Sequence, residues 1–104
     1  MEKQRFTRED FIRAVEGKIL ILDGAMGTSI QKYNLTPDNF LGGKGNNDIL
    51  NITRPDVVEA IHNEFIAAGA DIIETNTFSA NAISQADYRE QERVYEINFK
   101  GAQI

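Results

Sequence analysis

The chain has no cysteine and no tryptophan, and only two prolines and one histidine in 104 residues. Without cysteine there is no disulfide, and no thiolate zinc site can be built within this chain. The absence fits a reducing compartment, and the expected location is cytoplasmic. Basic residues are also few. Eleven Lys and Arg stand against 16 Asp and Glu, for a net charge of -5. No basic run could neutralise a row of phosphates, so no nucleic-acid partner is expected. Long apolar runs are missing too. The longest, residues 19–22, falls far short of a bilayer span, so no membrane partner is expected. The start, Met1-Glu-Lys-Gln-Arg5, is charged and lacks the apolar core of a secretion signal.

What is present is an ordinary globular composition, 41% hydrophobic and 26% charged, enough for one compact domain. The most informative stretch is Ala68-Ala-Gly-Ala-Asp-Ile-Ile-Glu-Thr-Asn-Thr-Phe78. Gly69 suits the left-handed end of a helix. Ile72 and Ile73 are adjacent and apolar, as in a strand covered on both faces. The chain then turns polar at Glu74, Thr75, Asn76 and Thr77. Ligands of parallel α/β proteins sit at such carboxyl ends of strands.

The rest of the pattern extends this reading. Thr7 and Asp10 are spaced as a capping box, with Phe6 and Phe11 as a hydrophobic staple. Phe11, Ile12 and Val15 form an apolar stripe that Gly17 ends. Residues 19–22 read as a buried strand closing on the glycine-flanked turn Asp23-Gly24-Ala25-Met26-Gly27. Residues 28–33 suit a short helix, and residues 34–47 a loop broken by Pro37, Gly42, Gly43 and Gly45. A helix opens at Thr53, with Pro55 in its first turn and Val57, Val58, Ile61, Phe65 and Ala68 on its apolar face. A strand over 71–75 follows, then helices over 80–86 and 91–104, the last with Val94, Ile97, Gly101 and Ile104 on one stripe. Two strands joined by a helical crossover make a βαβ unit. The fold class expected is α/β. The pattern ends inside a helix, as if more followed.

Two groups of residues are candidates for chemistry. At the first strand tip, Asp23 can accept hydrogen bonds from a ligand ammonium group, and Gly24 and Gly27 permit close backbone approach. Asp23 serves equally well as a turn residue that satisfies local amides. The glycines do not form a phosphate loop, because the Lys-Ser/Thr ending is missing. At the second tip, Thr75, Asn76 and Thr77 offer hydroxyl and amide groups. The plainer reading is capping of the next helix by Thr77 or Ser79. His62, alone on the flank of an amphipathic helix, is expected to be a packing residue. Residues 88–93 read as a solvated connection, and Gly45-Asn-Asn-Asp48 as a polar turn.

Five blocks in order carry a resemblance. They are Ile21-Leu-Asp-Gly-Ala-Met-Gly-Thr28, Lys44-Gly-Asn-Asn-Asp-Ile-Leu50, Thr53-Arg-Pro-Asp-Val57, Ile61-His-Asn63 and the 68–78 stretch. Together they resemble the start of the homocysteine-binding domain of the cobalamin-dependent methionine synthases. The resemblance implies an N-terminal fragment of a (β/α)8 TIM barrel, about two βα units plus an N-terminal helix, with residues 1–104 a partial homocysteine-binding domain. It implies methyl transfer to the thiolate of homocysteine, with zinc held by three cysteines and methylcobalamin recharged from methyltetrahydrofolate on other domains. Substrate-binding positions carried over are Asp23, Gly24, Ala25, Met26, Thr75, Asn76 and Thr77. No catalytic and no metal-ligating residue is carried over, since the zinc cysteines fall outside this sequence. Zinc and cobalamin are therefore implied only for a complete protein, as is homocysteine as partner, and this chain alone is expected to be inactive. The loop Phe40-Leu-Gly-Gly-Lys44 looks shorter than the family's. A different class of reading is a non-catalytic α/β module that self-associates through exposed strand edges or complements a partner chain. A third is a small-ligand binder that uses only the Asp23 and Thr75 ends.

Overall fold

A computed structural model describes residues 5–104. The charged start at residues 1–4, read above as lacking a secretion signal, lies outside the described residues.

The first helix, α1 (Arg8–Gly17), starts as its sequence demands. The Thr7 hydroxyl accepts from the Asp10 amide at 3.2 Å, and the Thr7 amide donates to Asp10 Oδ2 at 2.9 Å. The staple does not close onto anything, however. Phe6 is 70% exposed, and α1 buries none of its residues. Its apolar stripe, Phe11, Ile12 and Val15, faces outward.

The two expected strands do not form a sheet. Among the described residues they meet in one parallel bridge, Leu22 with Ile72. Three backbone hydrogen bonds surround it: Asp71 N and Ile72 N donate to Ile21 O, and Asp23 N donates to Ile72 O. Asp71 fastens the entry, with Oδ2 accepting from the Ile21 amide and Oδ1 from Lys18 Nζ. The α/β expectation, a two-unit fragment of a (β/α)8 TIM barrel, is therefore overturned, and the regular structure is helical. The physical reason is that isolated pairs of extended segments are marginal; a ladder needs further strands or a covering layer. Here Ile19 is 91% exposed and Ile21 57%, so the face these two share has no cover.

The core is built by the middle of the chain. Helix α2 (Met26–Ile30) begins two residues before its expected start. A 3-10 turn (Pro37–Phe40) orders the expected loop, and its Thr36 amide donates to Asn39 Oδ1 at 2.9 Å. A second 3-10 turn (Asn47–Ile49) runs into α3 (Leu50–Thr53). Thr53 thus ends one helix instead of opening the next. Its hydroxyl donates to Asn39 O. Helix α4 (Pro55–Ala67) starts at the proline, where the missing amide costs nothing. Arg54 grips Asp56 through Nε and Nη2, both at 2.9 Å. Val57, Val58 and Ile61 of α4 pack with Ile30 and Leu50 as the buried cluster. Ala68, expected on that face, is exposed. Gly69 takes φ +113 and reverses the chain, as its place after the helix foretold.

Helix α5 (Ala82–Ala86) is capped by Asn81, whose Oδ1 accepts from the Ser84 amide at 2.9 Å. Neither Thr77 nor Ser79 is its cap, contrary to the plainer reading of the sequence. Helix α6 (Val94–Gln103) follows a 3-10 turn (Gln91–Arg93) and buries Ile97 and Gly101. No helix among the described residues is long and apolar enough to cross a membrane.

Candidate functional site

The single bridge is enough to bring the two polar tips together. Asp23 sits just past Leu22, and Glu74 just past Ile72 and Ile73. The Glu74 amide donates to Asp23 Oδ2 at 3.1 Å. The carboxylate therefore crosslinks the two segments, a role its neighbours in sequence do not reveal. Its other oxygen, Oδ1, is buried and has no hydrogen-bond partner. One oxygen holds the fold while the other is left over.

Around this link lies a cleft of about 610 Å³, a size suited to a small ligand. All seven sequence-derived positions line it: Asp23, Gly24, Ala25, Met26, Thr75, Asn76 and Thr77. They do not play equal parts. The hydroxyls of Thr75 and Thr77 lie 2.7 Å apart and pair with each other. Asn76 is buried and its amide is committed, donating to Asn47 O at 2.9 Å and Asn51 Oδ1 at 3.2 Å. Its side chain joins the wall to the core, and Asn51 answers by donating to Asn76 O at 2.7 Å. Gly24 is open to the cleft because it has no side chain: a Cβ there would lie 3.1 Å from the Phe65 ring of α4.

Sequence reasoning passed over the opposite wall. The turn at Gly45, Asn46, Asn47 and Asp48 lines the cleft, as do Ser79 and Tyr88. Asn46 and Gln85 are both buried and exchange two amide hydrogen bonds, at 2.9 and 3.0 Å. Asp48 is buried as well, and its Oδ2 accepts from the Ser79 amide at 2.5 Å. Burial pushes the Asp48 carboxyl above its ordinary value, and the Ser79 hydrogen bond opposes that in part. The signal for this wall was the density of short amide side chains in 45–51, which reads as a turn until its partners 25 to 40 residues away are known.

The cleft is acidic. Asp23, Asp48 and Glu74 line it, and no Lys, Arg or His does. Such a lining suits a cationic group such as an ammonium. It does not suit a zinc centre. No group of three His, Asp or Glu side chains converges to hold a metal among the described residues, and the sequence has no thiolate to offer. The residues present do not fit the zinc site that the resemblance implies for a complete protein.

Comparison with known proteins agrees with the blocks that line this cleft. Residues 20–104 match the family described as homocysteine S-methyltransferase. Methionine synthase of Mycobacterium tuberculosis is 44% identical over 95 residues, which is 91% of this chain and 8% of that protein. Methionine synthase of Mycobacterium leprae is 42% identical over the same length and shares. The chain thus spans about 8% of the length of the curated relatives it matches. With a match that begins just before Asp23 and runs through both walls of the cleft, the chain belongs to the homocysteine S-methyltransferase family.

Proposed function

We propose that this chain supplies part of a homocysteine-binding site, and that the reaction it serves is methyl transfer to the homocysteine sulfur in methionine biosynthesis, in the cytoplasm. The observation that carries the reading is the convergence of Asp23, residues 24–26 and residues 75–77 on one acidic cleft. In this reading Asp23 Oδ1, buried and without a partner, accepts from the substrate ammonium. Thr75 and Thr77, exposed or half-buried, exchange their mutual hydrogen bond for contacts to the same amino-acid end. Nothing in the cleft activates a thiol: no base lines it besides carboxylates, and the zinc centre does not fit this chain. Homocysteine is therefore held here and methylated only with groups from beyond these residues. Cobalamin is given no residue of this chain.

The test is titration of the chain with homocysteine, followed by amide NMR. The amides of residues 23–27 and 74–77 should shift together and saturate. A charged hydrogen bond is worth roughly 1.5–3 kcal/mol, so Asp23→Asn should weaken binding by about one to two orders of magnitude. Thr75→Val keeps the branched shape and deletes the hydroxyl, and should weaken it less. Binding unaltered by Asp23→Asn, with the fold intact, would return Asp23 to a purely structural crosslink.

A second reading has its own support. The outward apolar stripe of α1 and the uncovered Ile19 favour a non-catalytic module that pairs with a copy of itself or with another chain.

A further inference from the structure

His62 is the one histidine of the chain, and it is 4% exposed. It lies on α4 one turn before Phe65, on the same side of the helix. Phe65 in turn packs against Gly24 at the first tip, so this side of α4 lies behind residues 23 and 24. Among the described residues, two side-chain atoms are buried with no hydrogen-bond partner. They are Asp23 Oδ1 and His62 Nδ1. Buried polar atoms in folded proteins are almost always satisfied, and each orphan calls for an account. These two have complementary chemistry. A carboxylate oxygen only accepts, and a neutral imidazole can place its one proton on either nitrogen.

We infer that His62 is a positioning residue for Asp23, with its ring proton held on Nδ1 and directed at Asp23 Oδ1. A side-chain rotation, or a buried water relaying the bond, would close the link. Asp23 would then be held from both sides, by the Glu74 amide on Oδ2 and by His62 on Oδ1. The carboxylate keeps a fixed direction at the rim of the cleft. The electrostatics agree. Burial pushes His62 below its ordinary value, and the nearby Asp23 charge pushes the other way without cancelling it. The ring is thus neutral near pH 7, the state in which tautomer choice matters. Asp23 is the charged group whose field reaches His62 among the described residues. The inference concerns the free protein: the His62 bond takes one lone pair of Oδ1 and leaves the other for a substrate ammonium. It stands or falls separately from homocysteine binding, because its test uses no ligand.

A single histidine makes the test direct, since long-range nitrogen-proton NMR spectra contain one imidazole to assign. The parent chain should show the Nδ1–H tautomer above the titration of the ring. Asp23→Ala, which removes the acceptor, should move the population toward Nε2–H. A second measurement reads Asp23 itself through exchange of the Glu74 amide. His62→Gln carries its donor at the wrong position and should speed that exchange by about fivefold, the worth of one ordinary hydrogen bond. His62→Asn places an amide donor near the position of Nδ1 and should restore slow exchange. A residue that only fills space would give equal exchange in the two variants. An Nε2–H ring in the parent, a tautomer indifferent to Asp23→Ala, or equal exchange in His62→Gln and His62→Asn would each overturn the inference. If the His62 variants fail to fold, the tautomer in the parent and in Asp23→Ala decides alone.

Discussion

At the scale of single residues, Asp48 shows how much a side chain's work depends on burial. In sequence it is one more polar turn residue; in the structure it carries a charge into the wall of the cleft. Its carboxyl is raised by burial, so the folded state binds the proton more tightly than the unfolded chain does. Stability from this group is fully present below the unfolded carboxylate value. It is lost as pH rises through that value toward the raised one. Asp48→Asn keeps an oxygen for the Ser79 amide and removes the charge, so it should raise Tm near pH 7 and leave it unchanged near pH 3. A lower Tm at neutral pH would mean that the ionised form is needed by the fold. His62 has the opposite sign. Its lowered value means that stability is full above the unfolded histidine value of about 6.5 and declines as pH falls through and below it. That decline should vanish in His62→Asn. Asp23, Thr75 and Thr77, singled out in the sequence as a polar turn after each apolar run, line one cleft because the Leu22–Ile72 bridge sets those two turns side by side. Sequence reading passed over Asn46 and Gln85 because a reciprocal amide pair 39 residues apart leaves no periodic trace, and Asp48 because its Ser79 partner lies 31 residues on.

At the scale of elements, starts and stops were legible where a side chain acts within a few residues. Thr7 and Asp10, Pro55, and Gly69 all do what their chemistry requires. The expected strands failed for the complementary reason. An apolar run such as residues 19–22 records what a segment would bury, and the cover must come from elsewhere. Among the glycines, the closest approach is at Gly101 on α6. A Cβ there would stand 2.8 Å from Asn51 Nδ2 on α3 and 2.9 Å from Thr77 Cγ2. Real Cβ atoms do not approach so closely, so α6 or the Asn51 amide must shift. Asn51 donates to both Asn76 O and Ile97 O, and that shift would break the tie between α3, α6 and the cleft wall. Gly101→Ala should therefore destabilise the chain by about 1–3 kcal/mol despite better helix propensity. Urea unfolding measures it, and the same change should disturb the Thr75 and Thr77 amides. A neutral or stabilising effect would show that the juncture is softer than its distances.

At the scale of the whole molecule, the chain is more extended than its length requires. Its radius of gyration is 15.4 Å, against about 13 Å for a compact domain near 100 residues. The long axis reaches 45 Å, while the other two are 29 and 27 Å. Helix α1 buries none of its residues, and Ile19, Ile21 and Leu22 are exposed. Phe11 and Val15 of α1 line a shallow apolar groove with Ile19, Leu20 and Ile72. Water is a poor partner for that surface, and a net charge of -5 is too small to keep copies apart at physiological salt. The expected outcome is a dimer or larger species at micromolar concentration, seen by sedimentation velocity. Backbone pairing along 19–22 can add to it, since among the described residues that segment meets the 71–72 stretch in a single bridge and carries no strand on its other edge. The apolar contribution can be separated from that pairing. Phe11→Gln with Val15→Gln leaves the backbone of 19–22 untouched and removes two apolar side chains per copy. Burying one such side chain is worth roughly 1.5–3 kcal/mol, so the double change should weaken association by at least about tenfold. It should not alter the cleft, because neither residue lines it. Association that persists unchanged would assign the contact to the backbone of 19–22. A clean monomer of the parent chain across the micromolar range would overturn the expected association.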